Sequence, residues 1–329
     1  MRIIFAYGIL QGGGCERRMG ELMRWLLDNG DECWLLASGW GHYGRATLYG
    51  QCGVPSDRII MMGPGEVYED FLVYMADELK GDLFDIQWSA CLPKELRIPA
   101  VFTMHGVTQP MPELPWAGII CVEYLNLPPV TTIYNWVNLE KFPFRKELGE
   151  GSCFVGRAFK AINVKKVCSL DPTIKVDCYG TTVGETELPD WPPQECAPWF
   201  DYKPTEDTIY RYRTVFAAAN TAMEAAAAGR LVIVGSSGTA YADRPAYGHL
   251  VQPHLLEALS RDQWAAQRWP HDASDPSPKF VLSQFRSAQK EDFLTERKAI
   301  RAYIEREHSL EIQCRKIRNL YMAVLDSRG

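Results

Sequence analysis

RIIFAYGILQGGGCERRMGELMRWLLDNGDECWLLA, Arg2 to Ala37, decides the fold. Its first seven residues are a compact apolar run that breaks at Gly12, Gly13 and Gly14. Met19, Leu22, Met23 and Leu26 then recur at helical spacing, with Glu16, Arg17, Arg18 and Glu21 off that stripe. Asn29–Gly30 stops the helix, and Glu32 to Ala37 starts a second apolar run. Strand, glycine turn, helix, strand is a unit that closes with a right-handed crossover and a parallel pairing.

The same alternation continues along the chain. A helix near 66–80 leads to a strand at Phe84–Trp88, PAVFTMHG (99–106) is another strand ending in a loop, and apolar runs follow at Gly118–Val122 and Val130–Tyr134. A second series opens after Pro143. Strands are expected at Ser152–Val155, Ile174–Tyr179, Val215–Ala219 and Leu231–Val234, and helices over 162–169 and Thr221–Ala228. Loops rich in proline fill 184–199 and 268–279, and in a long helical tail Ile317, Leu320, Tyr321 and Val324 share one face. The chain therefore reads as α/β, two Rossmann-like doubly wound parallel-sheet domains facing a central cleft. The expected limits are 1–143, 144–300 and a C-terminal helix, 301–329, crossing back to the first domain. Ligands of such sheets bind where the strands' carboxyl ends meet a change of strand order.

Bulk properties fit this reading. At 329 residues the chain exceeds the size at which one core keeps growing, so two domains are expected. Thirty-five Lys and Arg against 41 Asp and Glu give a net charge of −6, which disfavours a broad grip on nucleic-acid phosphates. The 10 cysteines are scattered without a CxxC pair. Neither a zinc cluster nor a dithiol motif is expected, and several sit in apolar runs as small hydrophobes. That cysteine usage leads to the expectation of a reducing, cytoplasmic compartment, and MRIIFAYGIL, too short to span a bilayer and without a cleavage site, reads as a first strand.

Four constellations carry chemistry. GGGCE, Gly12 to Glu16, stands between strand and helix, where glycines bring N–H groups close to a ligand and the helix start favours an anion. A tight turn needs the same glycines. FVGRAFK, Phe154 to Lys160, puts Arg157 and Lys160 just past a strand, where paired cations can hold a diphosphate; Lys165 is a rival for Lys160. NTAMEAAAAGR, Asn220 to Arg230, is a small-residue helix that Asn220 or Thr221 can cap, with Glu224 its one carboxylate. TMHG, Thr103 to Gly106, ends a strand in His105, which could donate to a sugar or phosphate oxygen. HExxH, paired acidic metal motifs and GxSxG are all missing from the sequence.

In order along nearly the whole chain, these segments resemble the retaining glycosyltransferase family 4, of GT-B architecture. GGGCE with NGDECWLLA is similar to its "GG-x-E … GHEV" opening, FDIQWSA and VFTMHG to its "DI-x-H" and "T-x-HG" strands, and IYNWVNLEKFPF to its hinge. FVGRAFK is similar to "VGR … K", MEAAAAGRLVIV to "LEAMA-x-G-x-PVV", and IRNLYMAVL to the terminal helix. The resemblance implies retention of anomeric configuration without a metal, and no cofactor beyond a nucleotide diphosphate sugar, UDP- or GDP-linked. It implies that Arg157 and Lys160 bind the donor diphosphate and Glu224 the ribose. Gly13, Gly14 and Thr221 belong to the same donor-binding set, and His105 joins Arg157 and Lys160 as a catalytic candidate.

Three positions depart from the family pattern. The family carries an acidic residue eight positions before the second glutamate, where this chain has Phe216 in a shortened segment; Trp136 and Asn138 replace the hinge glycine and aspartate. The expected activity is transfer of a sugar to a hydroxyl acceptor, by default a saccharide or lipid-linked glycan, with a modified nucleobase in DNA as a lesser option. The acceptor is expected near the glycine loop, His105 and SGWGHYGR (38–45), whose aromatics suit stacking. The competing readings are a sugar-nucleotide epimerase or phosphorylase of the same architecture, and an inactive nucleotide-sugar binding protein.

Overall fold

A computed structural model describes residues 1–87, 96–105, 116–122, 130–156, 161–180, 199–200, 206–235, 248–261, 264 and 277–327. The chain divides into two compact units, Met1–Asn135 with Glu311–Gly329, and Trp136–Leu310.

In the first unit, β1 (Arg2–Leu10), α1 (Gly14–Asp28) and β2 (Glu32–Trp40) form the expected opening, and β3 (Ile59–Met61), α2 (Tyr68–Glu78), β4 (Leu83–Ile86), β5 (Ala100–Met104), β6 (Gly118–Cys121) and β7 (Val130–Thr132) follow. The sheet order is β3-β2-β1-β4-β5-β6-β7, with every pairing parallel. One face buries Ile4, Ala6, Phe84, Ile86, Phe102 and Met104 against Phe71, Leu72 and Ala76 of α2. α1 differs from its sequence reading in one respect. Glu16 and Arg18, expected off the apolar stripe, are 3% and 2% exposed: Glu16 turns back onto the N–H groups of the loop before α1, and Arg18 feels the charges of Asp85 and Tyr321.

The second unit holds β8 (Ser152–Val155), α3 (Ile162–Leu170), β9 (Asp177–Tyr179), β10 (Trp199–Phe200), α4 (Glu206–Tyr210), β11 (Thr214–Ala217), α5 (Ala219–Ala227), β12 (Leu231–Val234), β13 (His249–Leu250), α6 (Leu256–Arg261), α7 (Pro278–Lys290) and α8 (Leu294–Glu307). Its sheet runs β10-β9-β8-β11-β12-β13. All pairings are parallel except β13, an antiparallel edge that the sequence did not announce. The strand predicted over 174–179 starts only at Asp177. The loop predicted over 184–199 lies outside the described residues except for Trp199 in β10, and the one over 268–279 already enters α7 at Pro278.

β11 stops at Ala217 and α5 starts at Ala219, two residues earlier than predicted. The N-cap is Ala218, with no side-chain cap, so neither Asn220 nor Thr221 caps the helix. The turn is made instead by Ala219, whose φ of 54° is left-handed, a strained value for a residue with a Cβ. Its N–H is held by the Trp264 carbonyl at 2.9 Å. Ala222, Ala225, Ala226, Ala227 and Ala228 are all buried, so the small side chains let α5 lie close to its neighbours. The carbonyls at its far end are satisfied by arginines. Arg297 Nε donates to Gly229 O at 2.7 Å and an Arg301 terminal nitrogen (Nη1) donates to Ala227 O at 3.0 Å, the cationic form of helix C-capping.

α9 (Leu310–Asp326) follows α8, and from Glu311 onward it groups with the first unit. Trp25 Nε1 donates to Glu311 at 2.6 Å and Arg318 Nε to Asp31 at 2.7 Å. Among the described residues no helix is long and apolar enough to cross a membrane. Cys33, Cys52, Cys121, Cys153, Cys168, Cys178 and Cys314 are buried free thiols, as their apolar settings suggested, whereas Cys15 is half-buried.

Candidate active site

Each sheet has one place where the strand order reverses. In the first unit it falls between β1 and β4, and in the second between β8 and β11. The carboxyl ends of those strands are where ligands of open α/β sheets bind; of the sequence-predicted site residues, Gly13 and Gly14 follow β1, His105 follows β5, and Thr221 and Glu224 lie in the helix after β11.

In the first unit, β1 runs into the glycine loop. Gly12 has φ 90°, and a Cβ on it would meet the Tyr43 backbone at 2.6 Å, so glycine is required by both conformation and space. The Glu16 carboxylate reaches back and accepts the N–H groups of Gln11 at 2.8 Å, Gly12 at 3.2 Å and Gly13 at 2.8 Å. This is a capping box with a carboxylate. It commits three backbone donors and sets a negative charge at the helix start, so an incoming anion would meet the first turn from Gly14 onward. The sequence left turn and anion site equally open; for Gly12 and Gly13 the hydrogen bonds are those of the turn. Tyr7, buried beside Glu16, has its phenol pKa raised by burial and by the nearby charges of Cys15 and Glu16.

β4 and β5 bring together the polar side chains of this end. Strand alternation puts Asp85 and Gln87 on one face, and Thr103 and His105 on the matching face of the next strand, while Phe84, Ile86, Phe102 and Met104 face α2. Thr103 Oγ1 donates to Asp85 Oδ1 at 2.8 Å, and the Tyr321 hydroxyl of α9 donates to Asp85 Oδ2. His105 Nε2 lies 2.9 Å from Gln87 Oε1. Asp85, Gln87, Thr103 and Tyr321 are completely buried. Burial pushes the Asp85 carboxyl up to about 6, against the hydrogen bonds of Tyr321, Thr103 and Gln87 and the charge of Arg18. The half-buried His105 is pushed down to about 3, first by desolvation and then by the Arg18 guanidinium, so its ring is neutral at pH 7. Arg18, Asp85, Gln87 and Tyr321 were not among the sequence candidates. The signal was present in FDIQ, since a carboxylate inside an apolar strand must find partners.

Beside the glycine loop, the segment after β2 carries an aromatic cluster. Trp40 and Tyr49 lie 5.5 Å apart, Arg45 stands 5.2 Å over the Trp40 ring, and the half-exposed Tyr43 contacts His42. Tyr43 N–H bonds to Gln11 O at 3.2 Å, which ties this segment to the loop.

In the second unit the reversal lies between Gly156, after β8, and Ala218, after β11. Gly156 N–H bonds to Tyr179 O at 2.9 Å. A Cβ on Gly180 would lie 1.7 Å from Gly156 O, so the two strand ends touch through glycine alone. Arg157 and Lys160 lie outside the described residues. Lys165, the rival for Lys160, is half-buried in α3. Thr221 is half-buried in the first turn of α5. Glu224 is 6% exposed, a buried carboxylate one turn deeper than a helix-start position and not a solvent-facing one. Phe216 is a strand residue of β11, opposite Phe154 and Ile233 and stacked on Phe285 at 5.7 Å. Counting eight positions back from Glu224 therefore lands in the core. Only Ala218 separates β11 from α5.

Among the described residues, Gly13, Gly14 and His105 thus share one sheet edge, and Thr221 and Glu224 share another. No family model matches the sequence, and neither does any curated protein. Solved structures are similar over the whole length. A glycosyltransferase from Rickettsia africae ESF-5 aligns with a TM-score of 0.70 at 12% identity, covering 98% of both chains. AviGT4, a glycosyltransferase involved in avilamycin A biosynthesis, gives 0.61 at 13% identity over 99% of this chain and 98% of its own. UDP-GlcNAc 2-epimerase from Neisseria meningitidis, bound to UDP-GlcNAc, gives 0.57 at 10% identity over 98% and 100%. At such identities the likeness establishes the fold, two Rossmann-like domains of the kind found in glycosyltransferases and sugar-nucleotide epimerases.

Proposed function

We propose that the chain is a glycosyltransferase that moves a sugar from a UDP- or GDP-linked donor to a hydroxyl acceptor, retaining anomeric configuration and using no metal ion. The observation that carries this reading is the end-to-end likeness to a glycosyltransferase, 0.70 in TM-score over 98% of both chains. The order of the family-like segments along the sequence supports it independently.

In this reading Arg157 and Lys160, which follow Gly156 in the sequence, hold the donor diphosphate and stabilise its charge as the glycosidic bond breaks. Gly14 and the first turn of α1 supply backbone donors, with Gly13 shaping the loop. Glu224 and Thr221 accept from and donate to the nucleotide ribose. His105, neutral at working pH, meets a hydroxyl of the reacting sugar or of the acceptor. Trp40, Tyr43, Arg45 and Tyr49 form the acceptor side, where rings stack on saccharide faces; a lipid-linked glycan fits the same chemistry, and a nucleobase in DNA is second choice for a chain with net charge −6.

The epimerase likeness supports a second reading, in which the same donor site acts on the sugar nucleotide without a separate acceptor. Product analysis with a donor labelled in the sugar separates the two. Label found on an added glycan supports the transferase; label in an epimerised sugar, free or still nucleotide-linked, supports the alternative. Donor that binds and is recovered unchanged across many acceptors would instead identify an inactive binding protein.

A further inference from the structure

At pH 7, above the value of about 6 to which burial raises Asp85, the buried polar groups behind His105 favour one arrangement of hydrogens. Asp85 receives the hydroxyls of Thr103 and Tyr321 on its two oxygens, and the positive charge of Arg18 favours its ionised form. An ionised carboxylate only accepts hydrogen bonds. The group of Gln87 turned toward it is therefore the amide NH2, which also helps keep the carboxylate charged although it closes no full hydrogen bond. Turned the other way, the amide would press its carbonyl oxygen against a carboxylate in a dry interior, where such repulsion is strong. With the NH2 directed at Asp85, Gln87 Oε1 faces His105 Nε2 at 2.9 Å, and a carbonyl oxygen can only accept.

We infer that Gln87 is a positioning residue that fixes His105 as the tautomer protonated on Nε2, with Asp85, Thr103 and Tyr321 of α9 holding Gln87 in that sense. Nδ1 then carries the ring's lone pair, and whatever group meets it must bring a hydrogen. This overturns one sequence expectation. His105 was expected to donate to a sugar or phosphate oxygen; in this tautomer Nδ1 accepts, which suits a hydroxyl and disfavours a phosphate oxygen. The catalytic meaning rests on the proposed transferase reading, whereas the tautomer itself does not.

The test uses the full-length chain at pH 7. Long-range proton–nitrogen correlation spectra distinguish the tautomers of its six histidines, and the signals lost in His105→Gln assign the residue. The expected result is His105 protonated on Nε2, a mixture of tautomers in Gln87→Leu, and an imidazole that titrates at higher pH in Gln87→Glu, whose carboxylate accepts from Nε2–H and favours the imidazolium. Predominant Nδ1 protonation in the wild type would overturn the inference, as would an unchanged tautomer ratio in a folded Gln87→Leu. If that variant does not fold, the near-isosteric Gln87→Glu decides: an unmoved titration counts against the role. The expected tautomer in a chain without transfer activity would sustain the inference and remove the function.

Discussion

At the reversal between β1 and β4, the strand ends carry Asp85, Gln87, Thr103 and His105, with Arg18 and Tyr321 closing over them from two helices. At the reversal between β8 and β11, the strand residues are Phe154, Val155, Phe216 and Ala217, and the following helix is mostly alanine. The first end uses a buried polar network to fix one imidazole before any ligand arrives. The second is lined by small side chains, and the proposed function leaves the specific donor contacts there to Arg157, Lys160, Thr221 and Glu224. Folding thus preorganises chemistry on one side and clears space on the other, so mutations at the two ends should fail differently.

The largest effect separates the ends most sharply. Arg157→Ala should lower turnover by about 10²–10³-fold, the range for removing one stabiliser of transition-state charge, while leaving the unfolding midpoint unchanged. Wild-type turnover would take Arg157 out of the site. Phe216→Ala should do the reverse, costing about 3–5 kcal/mol of stability with an unchanged donor KM. A raised KM in an equally stable variant would mean that position 216 serves the donor after all.

The pH dependence of stability sharpens the comparison within the first end. Asp85 titrates at about 6 in the folded chain against 3.8 for an ordinary aspartate, so folding favours its protonated form. That contribution is complete below about pH 4 and is lost as pH rises through 6. His105 runs oppositely, since its value falls from 6.5 to about 3. Folding favours the neutral ring, and the contribution is complete above 6.5 and lost as pH falls toward 3. Between pH 4 and 6 the slopes oppose each other. Asp85→Asn should therefore make stability climb more steeply with pH, and His105→Gln should flatten the climb. Denaturant titrations at several pH values read both, and equal slopes in the two variants would contradict the network. The smallest effect is expected at Glu224→Gln, where weakening one hydrogen bond worth about 0.5–1.5 kcal/mol should raise the donor KM a few-fold to tenfold. An unchanged KM would contradict the ribose contact.

Much of this was legible in the sequence because strand and helix periods are local. The run to Gly12, the stripe Met19–Leu26 and the alternation after Pro143 each announce their element, and Tyr321 on the apolar face of the tail foretold its inward direction. The start of α5 was misread because Asn220 and Thr221 are good caps by type, whereas the turn is made by Ala219 in a left-handed conformation held by the distant Trp264. Glu16 lay off the apolar stripe because it turns back onto the loop just before its own helix, and Arg18 because the charges it faces, Asp85 and Tyr321, lie far along the chain. The same non-local pairing hid Asp85 and Gln87, whose roles depend on the register of β4 with β5 and on a helix more than two hundred residues further along.

Recognition of a nucleotide diphosphate is most directly tested by melting the full-length chain with UDP, GDP and their sugars. A ligand that binds only the native state raises the melting temperature in proportion to the logarithm of its concentration. The account predicts such a rise with one nucleotide family in the wild type and its loss in Arg157→Ala; no shift with any nucleotide diphosphate or sugar nucleotide at millimolar concentration would contradict it.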